Sequence, residues 1–183
     1  TLVKDLVDAG SMSKEVINWT QGDVMNQFIS GNIAMMVNGP WQVPTMREQA
    51  PDLNWDVTLL PKDAEYASCL GGENFGVIDG DNVDAALDFL QFATSKDEVA
   101  SYIDDFGYIA ARKDVAEGQF TDDETMQKFT EEMQYAQPRG PHAQWPEISD
   151  ALSLAVNESI TGTSTPADAA AKAQSTIDGI LAE

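Results

Sequence analysis

The run Ile33-Ala34-Met35-Met36-Val37 is closed at once by Asn38-Gly39-Pro40. Five apolar residues ended by a turn signal have the length of a buried strand, not of a helix. A second strand is predicted over Trp55-Asp56-Val57-Thr58-Leu59-Leu60, stopped by Pro61, and a third over Phe75-Gly76-Val77-Ile78 before the turn Asp79-Gly80-Asp81-Asn82. The intervening and later segments have helical spacing: Leu2 to Ala9, Asp23 to Ile29, Trp41 to Gln49 and Val83 to Ala93. Ser95-Lys96-Asp97-Glu98 and Thr121-Asp122-Asp123-Glu124 read as capping boxes, the second opening a helix towards Tyr135. Pro146 suits the first turn of a helix ending near Gly162, and Thr165, Pro166 and Asp168 open a last helix as N-cap, N1 and N3. Strands early and helices throughout predict an α/β chain.

Composition narrows what such a chain does. With 183 residues and 43% hydrophobic content it can bury a core of one domain, or of pieces of two. Its 31 acidic against 10 scattered basic residues, net charge -21, repel phosphate backbones and anionic lipid heads, so no nucleic-acid partner is expected. The acidity reads as a solvated surface, in keeping with a salt-rich or acidic habitat. One cysteine, Cys69, excludes a disulfide within the chain and any Cys-rich metal site. No apolar run reaches membrane-spanning length and no signal peptide opens the chain, whose start, Thr1-Leu2-Val3-Lys4-Asp5-Leu6-Val7, reads as the interior of a helix. The chain is therefore expected to be part of a longer one.

The order of these elements and the words at their joints resemble the second half of the ABC-transporter extracellular solute-binding proteins of the maltose-binding type. The resemblance rests on Phe28-Ile29-Ser30-Gly31-Asn32-Ile33-Ala34-Met35 leading into Asn38-Gly39-Pro40-Trp41, on Leu59-Leu60-Pro61, and on Gly71-Gly72 before a strand. The helix starts Pro146-Glu147-Ile148-Ser149 and Thr165-Pro166-Ala167-Asp168-Ala169 complete it. It covers nearly the whole chain. It implies a periplasmic-binding-protein-like fold of two α/β lobes with ligand held between them. Residues 1–70 and 107–183 would supply most of the C-terminal lobe, and 71–106 a crossing segment and a strand-helix-helix piece of the other lobe. The N-terminal half would be absent.

Trp41 follows a tight turn after an apolar strand, where ligands approach open α/β sheets, and its flat ring suits a sugar, although packing in the lobe core is the plainer role. Gly72, Glu73 and Asn74 join an approachable backbone to an acceptor-only and a mixed side chain, the combination hydroxyl groups need, or else they form a plain turn. Arg139, His142 and Trp145 place a donor, an imidazole and an aromatic within seven residues, suited to a cleft rim; Arg139 equally suits fixing its loop, and Trp145 a helix staple. Trp19 and Trp55 read as packing residues.

No catalytic residue is expected. Carboxylate pairs are too abundant to be informative, and a Cys69–His142 dyad lacks an orienting third group and a nucleophile motif. Asp79-Gly80-Asp81-Asn82-Val83-Asp84 places Val83 where a calcium loop requires an oxygen ligand, so it reads as a turn, with no metal and no cofactor. The sequon Asn157-Glu158-Ser159 falls within a helix. The resemblance then implies an extracytoplasmic component, periplasmic or a lipoprotein at the outer face of the cytoplasmic membrane. It would capture a carbohydrate, by its family an oligosaccharide, and pass it to ABC permease subunits, without chemistry on the ligand. The alternatives are a polyamine, peptide or polyol on the same scaffold, or a ligand sensor.

Overall fold

Three of the α-helix starts in this chain, at Gln21, Glu124 and Pro166, are fixed by side-chain caps among the described residues. In the computed structural model, which describes residues 1–182, the elements are α1 (Leu2–Asp8), α2 (Gln21–Ile29), α3 (Val43–Gln49), β1 (Ser68–Leu70), α4 (Val83–Ala93), α5 (Lys96–Tyr102), α6 (Lys113–Ala116), α7 (Glu124–Glu132), β2 (Ala136–Pro138), α8 (Trp145–Thr161) and α9 (Pro166–Leu181). Short 3-10 turns lie at Lys14–Asn18, Pro40–Gln42, Asp104–Phe106 and Met133–Tyr135.

The predicted α9 start is found: Thr165 Oγ1 accepts from Asp168 N at 3.1 Å, and Pro166 takes the first turn, where no N–H is missed. Gly162, at φ +79°, closes α8. Thr20 and Asp23 form a reciprocal box at α2, Thr20 Oγ1 accepting from Asp23 N at 3.2 Å and Asp23 Oδ2 from Thr20 N at 2.8 Å. Two expected boxes differ. Ser95 stands at the N-cap of α5 but its side chain makes no capping bond. The α7 cap is Asp123, not Thr121, and its carboxylate accepts from Met126 N at 3.1 Å.

The strand expectations need correction. Residues 33–37, 55–60 and 75–78 are neither helical nor paired in a ladder; among the described residues, the sheet is the parallel pair β1–β2. Met35 and Val37 are 86% and 75% exposed, so the first of these segments is not buried. Trp55, Val57 and Leu59 are half-buried while Asp56 and Thr58 are exposed, so this segment keeps a strand's two-residue alternation without a strand's neighbour. Leu60 N donates to Glu132 Oε2 of the distant α7, at 3.2 Å. A ladder exists only where a second backbone presents complementary groups, and none does so here.

The chain divides into two compact units: Thr1–Val24 together with residues from Gly140 onward, and Met25–Arg139. In the first, α8 packs along α9 and against α1. Ile148, Ile160, Ala169, Ala173 and Val7 are its buried apolar residues, and the small Ala169 and Ala173, one turn apart, let the helices come close. Lys172 Nζ meets Glu158 Oε1 at 2.7 Å.

In the second unit Met25, Val43, Met46 and Met126 are buried, the methionines being flexible side chains suited to irregular gaps. Val99, Ala110 and Val115 form a cluster flanked by Tyr102, Ile103 and Ala116. The ladder pairs Ser68 with Ala136, Cys69 with Gln137 and Leu70 with Pro138. Pro138 lacks an N–H, which the free side of a two-stranded pair tolerates. Just before the strands, Tyr66 and Tyr135 stack with centroids 4.9 Å apart, and Lys62 Nζ lies 4.5 Å from the Tyr66 ring centre. Such pairs hold register from one end.

Candidate functional site

Because β1 and β2 are parallel and in register through Leu70 and Pro138, the chain leaves both strands at the same end. Gly71-Gly72-Glu73-Asn74 follows β1 and Arg139 follows β2. A Cβ on Gly71 would stand 4.0 Å from Arg139 Nη2, which places the guanidinium beside the glycine pair. Gly72, Glu73, Asn74 and Arg139 are all exposed. This end therefore presents open backbone, an acceptor-only carboxylate, an amide that both donates and accepts, and five guanidinium donors. The carboxyl ends of parallel strands are where ligands approach α/β sheets. Gly72 has neither a left-handed φ nor a neighbour within 4 Å of an added Cβ, so its backbone faces open space.

Trp41 lies in the 3-10 turn Pro40–Gln42 and is half-buried. Its ring folds back over Gly39: a Cβ there would lie 2.1 Å from Trp41 Cη2, so only glycine fits beneath the ring. Asn38 Oδ1 accepts from Gly39 N at 3.0 Å and shapes the turn. The Trp41 ring meets Tyr108 with centroids 6.1 Å apart and planes tilted by 33°. Tyr108 was not among the sequence candidates; its one signal is an aromatic directly after Gly107, where the chain was expected to cross back.

His142 and Trp145 belong to the other compact unit. His142 is exposed, and its Nδ1 accepts from Gln144 N at 3.2 Å. Trp145 opens α8, donating its backbone N–H to His142 O at 3.0 Å, and is half-buried. The structure thus brings Gly72, Glu73, Asn74 and Arg139 to one strand end, and sets Trp41 against Tyr108. Among the described residues no group of three or more His, Cys, Asp or Glu gathers to hold a metal ion. Residues 79–82 form the expected turn, and Asn157 lies within α8.

The family profile described as bacterial extracellular solute-binding protein matches residues 1–128. Similar chains occur in Brucella abortus strain 2308, Brucella abortus biovar 1 strain 9-941 and Brucella suis biovar 1 strain 1330. Each is 28% identical over 180 residues, covering 94% of this chain and 44% of the relative, and each carries only the provisional name of a binding protein. The chain spans less than half the length of these relatives. With the profile matching well over half of its residues, the chain belongs to the bacterial extracellular solute-binding protein family.

Proposed function

We propose that the whole protein is the extracytoplasmic solute-binding component of an ABC importer, capturing a carbohydrate between two lobes and delivering it to a membrane permease. The observation that carries this reading is the parallel register of Leu70 and Pro138, which puts the mixed donors and acceptors of Gly72, Glu73, Asn74 and Arg139 at one strand end. A sugar offers alternating hydroxyl donors and acceptors and apolar faces; the strand end answers the first and Trp41 the second. Selectivity would come from contacts that both lobes make only when closed.

The division of the chain between lobes, crossing near Gly71 and returning near Gly107, belongs to the same proposal. Phe75 and Ile78 are 64% and 92% exposed, and with Phe89 and Leu90 they border an open groove of about 480 Å³. In the proposed division, further sheet and cover for the unpaired segments and the apolar groove would come from the rest of a longer protein. No helix among the described residues is long and apolar enough to cross a membrane.

The test is a thermal-shift screen of the full-length protein against oligosaccharides, polyols, peptides and polyamines. Ligand at 100 times Kd should add about 2.7 kcal/mol of stability. Shifts confined to oligosaccharides support the reading. Shifts confined to another class replace the carbohydrate, and none at all argue against solute capture. Trp41→Ala should then weaken sugar binding with little loss of thermal stability.

A further inference from the structure

The residues 108–110 form a strap outside any helix or ladder, yet two of its backbone groups are satisfied by one side chain. Gln119 Oε1 accepts from Ala110 N at 2.7 Å, and Gln119 Nε2 donates to Tyr108 O at 3.1 Å. A parallel strand neighbour makes the same two bonds, to the carbonyl before a residue and the N–H after it. The side-chain amide thus stands in for the N–H and C=O of one neighbouring strand residue pairing around Ile109. Nε2 also donates to Asp104 Oδ1, tying the strap to the turn before it. Gln119 is itself held at the end of α6, its N–H donating to Ala116 O at 3.2 Å.

The ends of the strap are fixed as well. Ala110 is buried with Val99 and Val115. Gly107, at φ +66°, presses so close to the Pro40–Pro44 segment that a Cβ would stand 2.8 Å from both Pro40 O and Pro44 Cδ. Tyr108 is therefore the strap residue whose ring is delivered against Trp41.

We infer that Gln119 is a positioning residue of the candidate ligand site: by standing in for a strand neighbour it holds Tyr108 against Trp41 and so sets the orientation of the indole that meets ligand. The last step rests on the carbohydrate reading above; the positioning itself does not. Loss of the Nε2 bonds frees the Tyr108 carbonyl, and Trp41 keeps Gly39 beneath it but loses its tilted partner.

The full-length protein labelled with 5-fluorotryptophan decides between the alternatives, the Trp41 resonance being identified by its loss in Trp41→Phe. Gln119→Met removes all three bonds at nearly constant length, Gln119→Glu keeps only the acceptor towards Ala110, and Tyr108→Leu removes the ring. The expected result is that both Gln119 variants move the Trp41 resonance in the direction Tyr108→Leu does while the Trp19, Trp55 and Trp145 resonances stay. Should Gln119→Met fail to fold, Gln119→Glu alone carries the test. A Trp41 resonance that stays in a folded Gln119 variant overturns the inference. Affinity for maltotriose, taken as the probe, should fall roughly three- to tenfold in the same variants, the worth of one aromatic contact. If the wild type binds no oligosaccharide but the resonance moves, the positioning stands and the carbohydrate reading fails. If maltotriose binds and neither resonance nor affinity changes, the reading stands and the positioning fails.

Discussion

Asp123 grips Arg47 with both carboxylate oxygens, at 2.7 Å and 2.8 Å, while one of them also caps α7 through Met126 N. A single carboxylate thus joins α3 to the start of α7, two elements 76 residues apart in sequence. The bidentate fork is the geometry that makes guanidinium–carboxylate pairs specific.

That arrangement makes stability depend on acid. Arg47 beside it, with the capping N–H, holds the Asp123 carboxyl below its usual 3.8, burial opposing only in part. A group depressed in the folded state stabilises fully above its unfolded value and loses that contribution as pH falls through the folded one. Asp123→Ala should cost roughly 1–2 kcal/mol at pH 7, cap and pair together. Arg47→Ala should cost less, about 1 kcal/mol or under, because the pair is partly solvated. Urea titrations at pH 7, 5, 4 and 3 check this: the gap between wild type and Asp123→Ala should hold to pH 5 and narrow below 4. A gap constant to pH 3 contradicts it.

Two glycines with the same backbone hand should respond unequally to alanine. Gly107 and Gly162 both have left-handed φ, +66° and +79°, but only Gly107 has backbone and proline atoms within 3 Å of an added Cβ. Gly162→Ala should cost roughly 1–2 kcal/mol from backbone strain alone. Gly107→Ala should cost clearly more and perturb Trp41 fluorescence. Equal losses in thermal melts would show that the Pro40–Pro44 segment yields freely.

The apolar groove bordered by Phe75, Phe89 and Leu90 predicts different behaviour for the 183-residue chain and for the full-length protein. Exposed apolar patches above a few hundred Å² mark surfaces that are normally covered. The isolated chain should bind the dye ANS strongly or self-associate in sedimentation, and Phe75→Ser with Phe89→Ser should reduce both. The full-length protein should show little of either. A monomeric isolated chain that ignores the dye and binds sugar would refute the proposed lobe division.

Salt should stabilise this protein. Ten cationic residues face 31 acidic ones, and among the described residues five ion pairs form. Unbalanced charge of one sign repels itself in the compact state, and screening shortens from about 30 Å at 0.01 M to about 3 Å at 1 M salt. The melting temperature at pH 7 should rise across that range, in NaCl and KCl alike. A flat or falling curve would mean the surface charges are spaced too widely to interact.

The helices were legible because their signals are local. Thr165, Pro166 and Asp168 start α9, Gly162 ends α8, and Val83–Ala93 is helical over the predicted span, since capping and helical hydrogen bonds join residues three or four apart. The strand end of the site was half legible: Gly72, Glu73, Asn74 and Arg139 were singled out by chemistry, but their meeting depends on Leu70 facing Pro138 across 68 positions. Neither Ser-Cys-Leu nor Ala-Gln-Pro has a strand's composition. Conversely, Ile33–Val37 has that composition and forms no ladder, because hydrophobicity along a segment records what it would bury, not which backbone lies beside it. The same limit hid Tyr108 and Gln119. What the sequence determined by itself is most of the longer helices, the acidic surface and the turn glycines, while the short α6 was missed. Which strands pair, which ring meets Trp41 and which amide holds the strap were decided by tertiary structure, since those bonds exist only between segments that folding brings together.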